Sequence, residues 1–178
     1  MSDLVIRAYS PADIPAVTRI YGHYVRETVI TFETEEPGEA EMASRFAAIA
    51  GKGHPLLIAE RDGAVIGYAY ASTYRPREAY RFTCEDSIYL APDAVGQGVG
   101  GKLLARLIED SKTAGLRQML AVITAERANS IRLHEKHGFR VIGRYEALGY
   151  KFDRWLDVTY MQLMLTSPSV SACSGRTA

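Results

Sequence analysis

The stretch Gly96-Gln97-Gly98-Val99-Gly100-Gly101 gathers glycine directly ahead of an apolar helical stripe, which is the composition of an anion cradle. Glycines let the backbone approach a ligand, and the unpaired amides of a helix start face negative charge. Gly96, Gly98 and Gly101 fit a dinucleotide fingerprint, and Glu126 follows the next strand. However, Ala91-Pro92-Asp93-Ala94-Val95 separates the loop from the strand end on which such glycines should sit. Gly96 and Gly101-Lys102 fit most of a triphosphate loop, but Leu103 stands where Ser or Thr should ligate Mg²⁺. A further reading is that the glycines merely shape a tight strand-to-helix connection. The loop by itself does not choose among these.

Upstream, Glu85-Asp86-Ser87 lies in the apolar-rich run 82–90. A carboxylate there is either an outward-facing strand residue or a proton acceptor beside a ligand. Downstream, Asn129 reads as a helix N-cap or a ligand contact. His134, on the same short helix, can be an acid, a base or a structural residue, its unperturbed pKa of about 6.5 permitting either exchange. Arg75-Pro76-Arg77 offers guanidinium forks for an anionic group, or two solvated loop charges. Phe32, Tyr74 and Trp155 rank lower as pocket residues, because aromatics in a small domain are more often core. Cys84 reads as a buried small hydrophobe. No metal centre is expected.

The elements that carry these residues follow from period and punctuation. Residues 4–7 form a first strand. Ser10 as N-cap, Pro11 and Asp13 then open a helix whose Ile14, Val17, Ile20, Tyr21 and Tyr24 share one face. Residues 37–50 predict a second helix, stopped by Gly51-Lys52-Gly53-His54-Pro55. Strands over 56–59 and 65–71 join through the hairpin dipeptide Asp62-Gly63, and a longer connection leads to a strand over 82–90. The helix after the glycine loop turns Leu103, Leu104, Leu107 and Ile108 inward and ends at Gly115. A strand over 119–123, a helix over 129–136 and a last strand over 157–165 complete the order. The pattern β-α-α-β-β-β-α-β-α-β predicts an α/β fold with a mixed, mostly antiparallel sheet and helices on both faces.

A chain of 178 residues suffices for one well-buried core, so residues 1–165 are read as one domain and the Ser-rich 166–178 as a disordered tail. With 21 basic and 21 acidic side chains and no long basic run, nucleic acid is not an expected partner. No run approaches the roughly 18 apolar residues of a membrane span. Only two cysteines occur, which fits a reducing, cytoplasmic setting.

The whole arrangement from Glu85 to Phe139 resembles the GNAT superfamily of acyl-CoA N-acyltransferases. It runs from the strand ending Tyr89-Leu90-Ala91-Pro92 through the glycine loop to Asn129 and Leu133-His134-Glu135-Lys136-His137-Gly138-Phe139. Four further blocks look like the phosphinothricin and methionine sulfoximine N-acetyltransferase branch: Ile30-Thr31-Phe32-Glu33, the segment 75–81, Cys84-Glu85-Asp86-Ser87-Ile88-Tyr89, and the segment 150–157.

The resemblance implies acetyl-CoA as cosubstrate. Its pantetheine would pair with the main chain at Ile88, Tyr89 and Leu90, and its pyrophosphate would rest on the amides of Gly96, Gln97, Gly98, Val99, Gly100 and Gly101, with Asn129 as a further contact. Val95 stands where the family pattern begins with Gln or Arg, and Gln97 is the residue that can compensate. Glu85 is implied as general base and His134 as a catalytic partner. Arg75, Pro76, Arg77, Glu85, Asp86 and Ser87 are implied to bind a small amino-acid-like amine. A homodimer is expected by the same analogy. Acetylation of another amine or of a protein N-terminus remains an alternative, as does a non-catalytic acyl-CoA sensor, which would have no need of Glu85.

Overall fold

Ser10 opens the first helical segment as its composition requires. Its hydroxyl accepts from the Ala12 amide while Asp13 accepts from the Ser10 amide, and Pro11 needs no donor of its own. The structure, a computed structural model, describes residues 3–166, so all of the expected tail but Thr166 lies outside the described residues. The strands are β1 (Leu4–Ala8), β2 (Leu56–Arg61), β3 (Ala64–Thr73), β4 (Thr83–Leu90), β5 (Gln118–Thr124), β6 (Arg140–Lys151) and β7 (Arg154–Met164). The helices are α1 (Ile14–Glu27), α2 (Glu39–Gly51), α3 (Val99–Thr113) and α4 (Ala128–Lys136).

The strands form one sheet in the order β1-β2-β3-β4-β5-β7-β6, antiparallel throughout except for the β4–β5 pair. Alternate strand residues leave opposite faces, which gives two cores. On one face, Val17, Ile20 and Phe46 of α1 and α2 meet Leu56, Ile58, Tyr68 and Tyr89. On the other, Leu103, Leu104 and Leu107 of α3 meet Leu57, Ala59, Ala69 and Met119. Each such leucine contributes roughly 1.5–3 kcal/mol by leaving water.

The expected hairpin at Asp62-Gly63 is present, with φ of 50° and 76°. The expected order misses β6, however, and starts β7 at 157 rather than at Arg154. β6 carries two register shifts, between Val141 and Gly143 and between Tyr145 and Gly149, so its residues never alternate cleanly. The turn into β7 uses Phe152 and Asp153 at φ of 51° and 56°, where a glycine would have announced it.

The β4–β5 pair sets up the site. Its register runs only through Thr83↔Gln118, Cys84↔Met119 and Glu85↔Leu120, while β4 continues to Leu90 and β5 to Thr124. Beyond Glu85 and Leu120 the two strands splay apart.

Candidate active site

The splay opens a cavity of about 950 Å³. β4 lines it from Glu85 to Leu90, β5 from Ala121 to Thr124, and the glycine loop through Gly96, Gly98, Gly100 and Gly101. Ala91 donates its amide to Ile66 of β3, so Tyr89 and Ser87, two and four residues back, also bond towards β3. The main-chain groups of Asp86, Ile88 and Leu90 consequently face the splay. Those of Leu90 are both engaged by Tyr24 of α1, whose hydroxyl donates to the Leu90 carbonyl at 2.7 Å and accepts from its amide at 3.3 Å. Of the expected pantetheine contacts, Ile88 and Leu90 present main chain to the cavity. Tyr89 bonds towards β3 instead, and its ring is buried against Tyr21, Tyr24 and Tyr68.

At the glycine loop, Gly98 sits at φ 78° directly before α3, a conformation that a side chain would strain. Leu133 of α4 lies 3.5 and 3.7 Å from where Cβ atoms on Gly100 and Gly101 would stand, an ordinary packing contact that seats α4 against the start of α3. Gln97 points elsewhere: it donates to the Asp93 carbonyl and accepts from Arg61, and it lines no part of the cavity. Val95 is exposed on the rim.

Glu85 and Asp86 are sequence neighbours and so leave opposite faces of the sheet. Glu85 goes with Tyr70 and Tyr89 to the α1–α2 side. Burial, reinforced by the neighbouring Asp86 charge, raises its carboxyl to about 6. Asp86 goes to the α3–α4 side and meets His134, whose Nε2 lies 3.0 Å from Oδ2 while Nδ1 donates to the Ser130 carbonyl at 2.7 Å. Both ring nitrogens are therefore occupied, and His134 and Glu85 stand on different faces. Cys84 is fully buried, its thiol raised to about 12 by burial above all, as expected of an inert residue.

A wall that sequence reasoning undervalued is the segment 28–32, from which Thr28, Ile30, Thr31 and Phe32 face the cavity. It is pinned from several directions. Thr124 donates to the Val29 carbonyl at 2.6 Å, buried Lys151 to the Thr31 carbonyl at 2.8 Å, and the Tyr21 and Thr31 hydroxyls bond at 2.9 Å. The Phe32 ring sits on Gly149 so closely that a Cβ there would fall 2.2 Å from it. Of the aromatics considered, Phe32 thus lines the cavity, whereas Tyr74 and Trp155 do not.

Sequence reasoning also missed Arg127. It lines the cavity, its Nε is buried without a hydrogen-bond partner, and no carboxylate lies within ion-pair distance among the described residues. Asn129, by contrast, is exposed and accepts from Arg132, though it too touches the cavity wall. Arg75, Pro76 and Arg77 are exposed on the β3–β4 connection outside the cavity wall, with Arg75 over the Tyr74 ring at 5.2 Å. Ser87 lines the cavity. Among the described residues no cluster of His, Cys, Asp and Glu is arranged to hold a metal, and no helix is long and apolar enough to cross a membrane.

A sheet split between β4 and β5, with a glycine loop at the mouth of the split, matches known proteins over most of the chain. Residues 6–160 match the acetyltransferase (GNAT) domain family. A phosphinothricin N-acetyltransferase of Alcaligenes faecalis is 45% identical over 163 residues, 91% of this chain and 83% of that protein. An L-methionine sulfoximine/L-methionine sulfone acetyltransferase of Salmonella typhimurium is 38% identical, over 91% of this chain and 95% of that protein. The crystal structure of a phosphinothricin acetyltransferase from Sinorhizobium meliloti in complex with acetyl-CoA superposes with a TM-score of 0.89 at 47% identity, covering 90% of this chain and 88% of that one. With the family matched across the domain and the fold shared with its solved members, this chain belongs to the GNAT acetyltransferase family.

Proposed function

We propose that the protein transfers the acetyl group of acetyl-CoA directly to the amine of a small amino-acid-like acceptor of the phosphinothricin, methionine sulfoximine or methionine sulfone type, with Glu85 as general base. The observation that carries the base assignment is the half-buried Glu85 carboxyl at the root of the splay, raised to about 6 by desolvation and the Asp86 charge. It is mostly ionised at pH 7 and still basic enough to take a proton. An amine with pKa between about 8 and 10.4 is protonated at that pH, at a cost of about 1.4 to 4.6 kcal/mol to neutralise. Glu85 accepts that proton directly or through a water. The free amine then attacks the thioester carbonyl, the C–N bond forms, and collapse breaks the C–S bond. Of the two protons left on the attacking nitrogen, one passes to the departing thiolate and the other stays in the amide, while Glu85 returns its proton to solvent, so free thiol is released and no covalent enzyme intermediate is needed.

The main chain of Ile88, open towards the splay, supports strand-like pairing with the pantetheine amides and a donor for the oxyanion. The amides from Gly96 to Gly101 are the proposed pyrophosphate cradle. With Val95 on the rim and Gln97 engaged by Arg61, the unpaired Arg127 guanidinium is the better candidate for the missing side-chain contact. Arg75 and Arg77 remain the proposed partners of the acceptor's anionic group. Both lie outside the cavity wall, so their support is the family resemblance of the segment 75–81. A cytoplasmic setting supplies the acetyl donor.

The test is release of free thiol from acetyl-CoA in the presence of methionine sulfone, phosphinothricin and a panel of free amino acids. Release with methionine sulfone or phosphinothricin is the expected result. Release with none of the panel, while acetyl-CoA still binds, favours a sensor.

A further inference from the structure

Asp86 is the first residue of β4 beyond its last partner on β5, the Glu85↔Leu120 pair. Its side chain therefore stands where the two strands begin to part, on the face covered by α4. There it meets His134, the two side chains being only 2% and 5% exposed.

The hydrogen bonding fixes the protons. A carbonyl oxygen only accepts, so the Ser130 contact requires a proton on Nδ1 of His134. Nε2 then faces a carboxylate oxygen at 3.0 Å, and two lone pairs cannot share that distance without a proton between them. One proton therefore lies between Nε2 and Oδ2, and because the Asp86 contact holds His134 above its ordinary value that proton is assigned to the imidazole, giving an imidazolium and a carboxylate closed in from both sides. The second oxygen, Oδ1 of Asp86, is buried with no hydrogen-bond partner among the described residues, and Asp86 lines the cavity.

We infer that Asp86 and His134 form a clasp that ties α4 to β4 across the root of the splay and fixes the width of the acyl-CoA slot. Asp86 is the positioning residue: it keeps both nitrogens of His134 protonated and so withholds the imidazole from proton exchange with the reactants. This rests on the acyl-CoA reading of the cavity. Leu133, one residue before His134, packs on the start of α3, so the clasp also steadies the helix that borders the glycine loop.

The groups around the imidazole are few. Asp86 on β4 is the charged side chain acting on it, α4 itself supplies the Ser130 carbonyl, and the segment after α4 brings the uncharged Phe139 ring edge-on at 5.0 Å. Cys84 and Glu85 flank Asp86 on β4. Burial disfavours the cation, but the Asp86 contact outweighs it and holds His134 above its ordinary value. A cation with a raised native pKa stabilises fully below its unfolded value, and the contribution is lost as pH rises through the native value. The slot should therefore loosen on the alkaline side.

Two measurements test this. Long-range ¹H–¹⁵N spectra of the full chain, without ligand, should show both His134 nitrogens protonated at pH 7; a single protonated nitrogen overturns the pair. Calorimetric binding of acetyl-CoA without acceptor should weaken about tenfold as pH rises through the His134 titration seen in those spectra. Asp86→Asn keeps a hydrogen bond, donated by its amide to a neutral Nε2, and should abolish that pH dependence. Asp86→Ala should weaken acetyl-CoA binding about tenfold at pH 7, whereas Asp86→Asn, which keeps the hydrogen bond, should stay within about threefold of the unaltered protein at that pH. PH-independent affinity in the unaltered protein, or an alkaline limb that persists in Asp86→Asn, overturns the clasp. Failure of the unaltered protein to bind acetyl-CoA is the failure of the acyl-CoA reading and takes the slot role with it, whereas the spectra judge the proton state of the pair alone.

Discussion

The catalytic role proposed for Glu85 comes at a cost in stability. Its carboxyl is raised from 4.5 to about 6 by burial and by the Asp86 charge, so the native state prefers it protonated. A carboxyl with a raised native pKa weakens the fold as pH rises through the window between the unfolded and native values. The full penalty above pH 6 is about 2 kcal/mol. Glu85→Gln is therefore expected to be more stable than the unaltered protein at pH 8 by about 1–2 kcal/mol, with the difference vanishing below about pH 4.5. Paired urea denaturation curves at the two pH values check this. The same variant should lose at least about a hundredfold in kcat with little change in acetyl-CoA affinity, and kcat/KM of the unaltered enzyme should rise through about pH 6. If affinity collapses while turnover per bound acetyl-CoA is kept, Glu85 is not the base. Arg127 belongs to the same scale. Arg127→Ala should raise the KM for acetyl-CoA about tenfold, the equivalent of one good charged contact, whereas Asn129→Ala should change it by less than about threefold. The reverse ranking would return the contact to Asn129.

At the scale of elements, much was legible where one residue type answers one geometric need. The Ser10 cap, the Asp62-Gly63 hairpin and the inward stripe of α3 all stand as expected. β6 was not legible, because its two register shifts break the period-two signal on which strand reading depends. The functional residues divide in the same way. The glycine loop signals an anion by type without choosing which, and Glu85 stands out only through the family resemblance; the opposite faces taken by Glu85 and Asp86 follow once β4 is known to be paired through that point. Arg127 and the segment 28–32 carry no signature at all; tertiary placement alone brings them to the cavity. That segment yields a prediction of its own. Gly149→Ala puts a methyl group into the Phe32 ring, which overpacking makes costly by about 1–3 kcal/mol. Because Phe32 lines the cavity, the KM for the acceptor should rise more than that for acetyl-CoA. Steady-state kinetics with both substrates varied, beside a denaturation curve, separate the two effects; an unchanged Phe32 wall would leave both constants alone.

At the scale of the molecule, the sheet ends on β6, and that end is apolar. Val141, Ile142, Tyr145, Leu148, Tyr150, Phe152 and Trp155 are all about half exposed or more, crowded on the β6–β7 hairpin. So much apolar surface along one edge is more than a lone soluble domain ordinarily leaves open. We propose that a second copy of this chain covers it. Light scattering behind size-exclusion chromatography should give a dimer at micromolar concentration. Leu148→Asp, at an exposed site where the fold itself loses little, should give a monomer with an unaltered circular dichroism spectrum. A monomer in the unaltered protein would leave the surface for another partner.

β6 is not the only place where strand main chain lacks a neighbouring strand. From Asp86 onward β4 also runs without one on its β5 side, but that run lies inside the cavity, walled by β5, by Tyr24 and by the segment 28–32. An open strand edge on the outside of a fold invites pairing with other chains, whereas here the unpaired main chain is set within cavity walls. On the proposed reading, the slender pantetheine arm, with amide groups of its own, is the strand that completes β4 there, so the sheet would be finished by the cosubstrate instead of by protein.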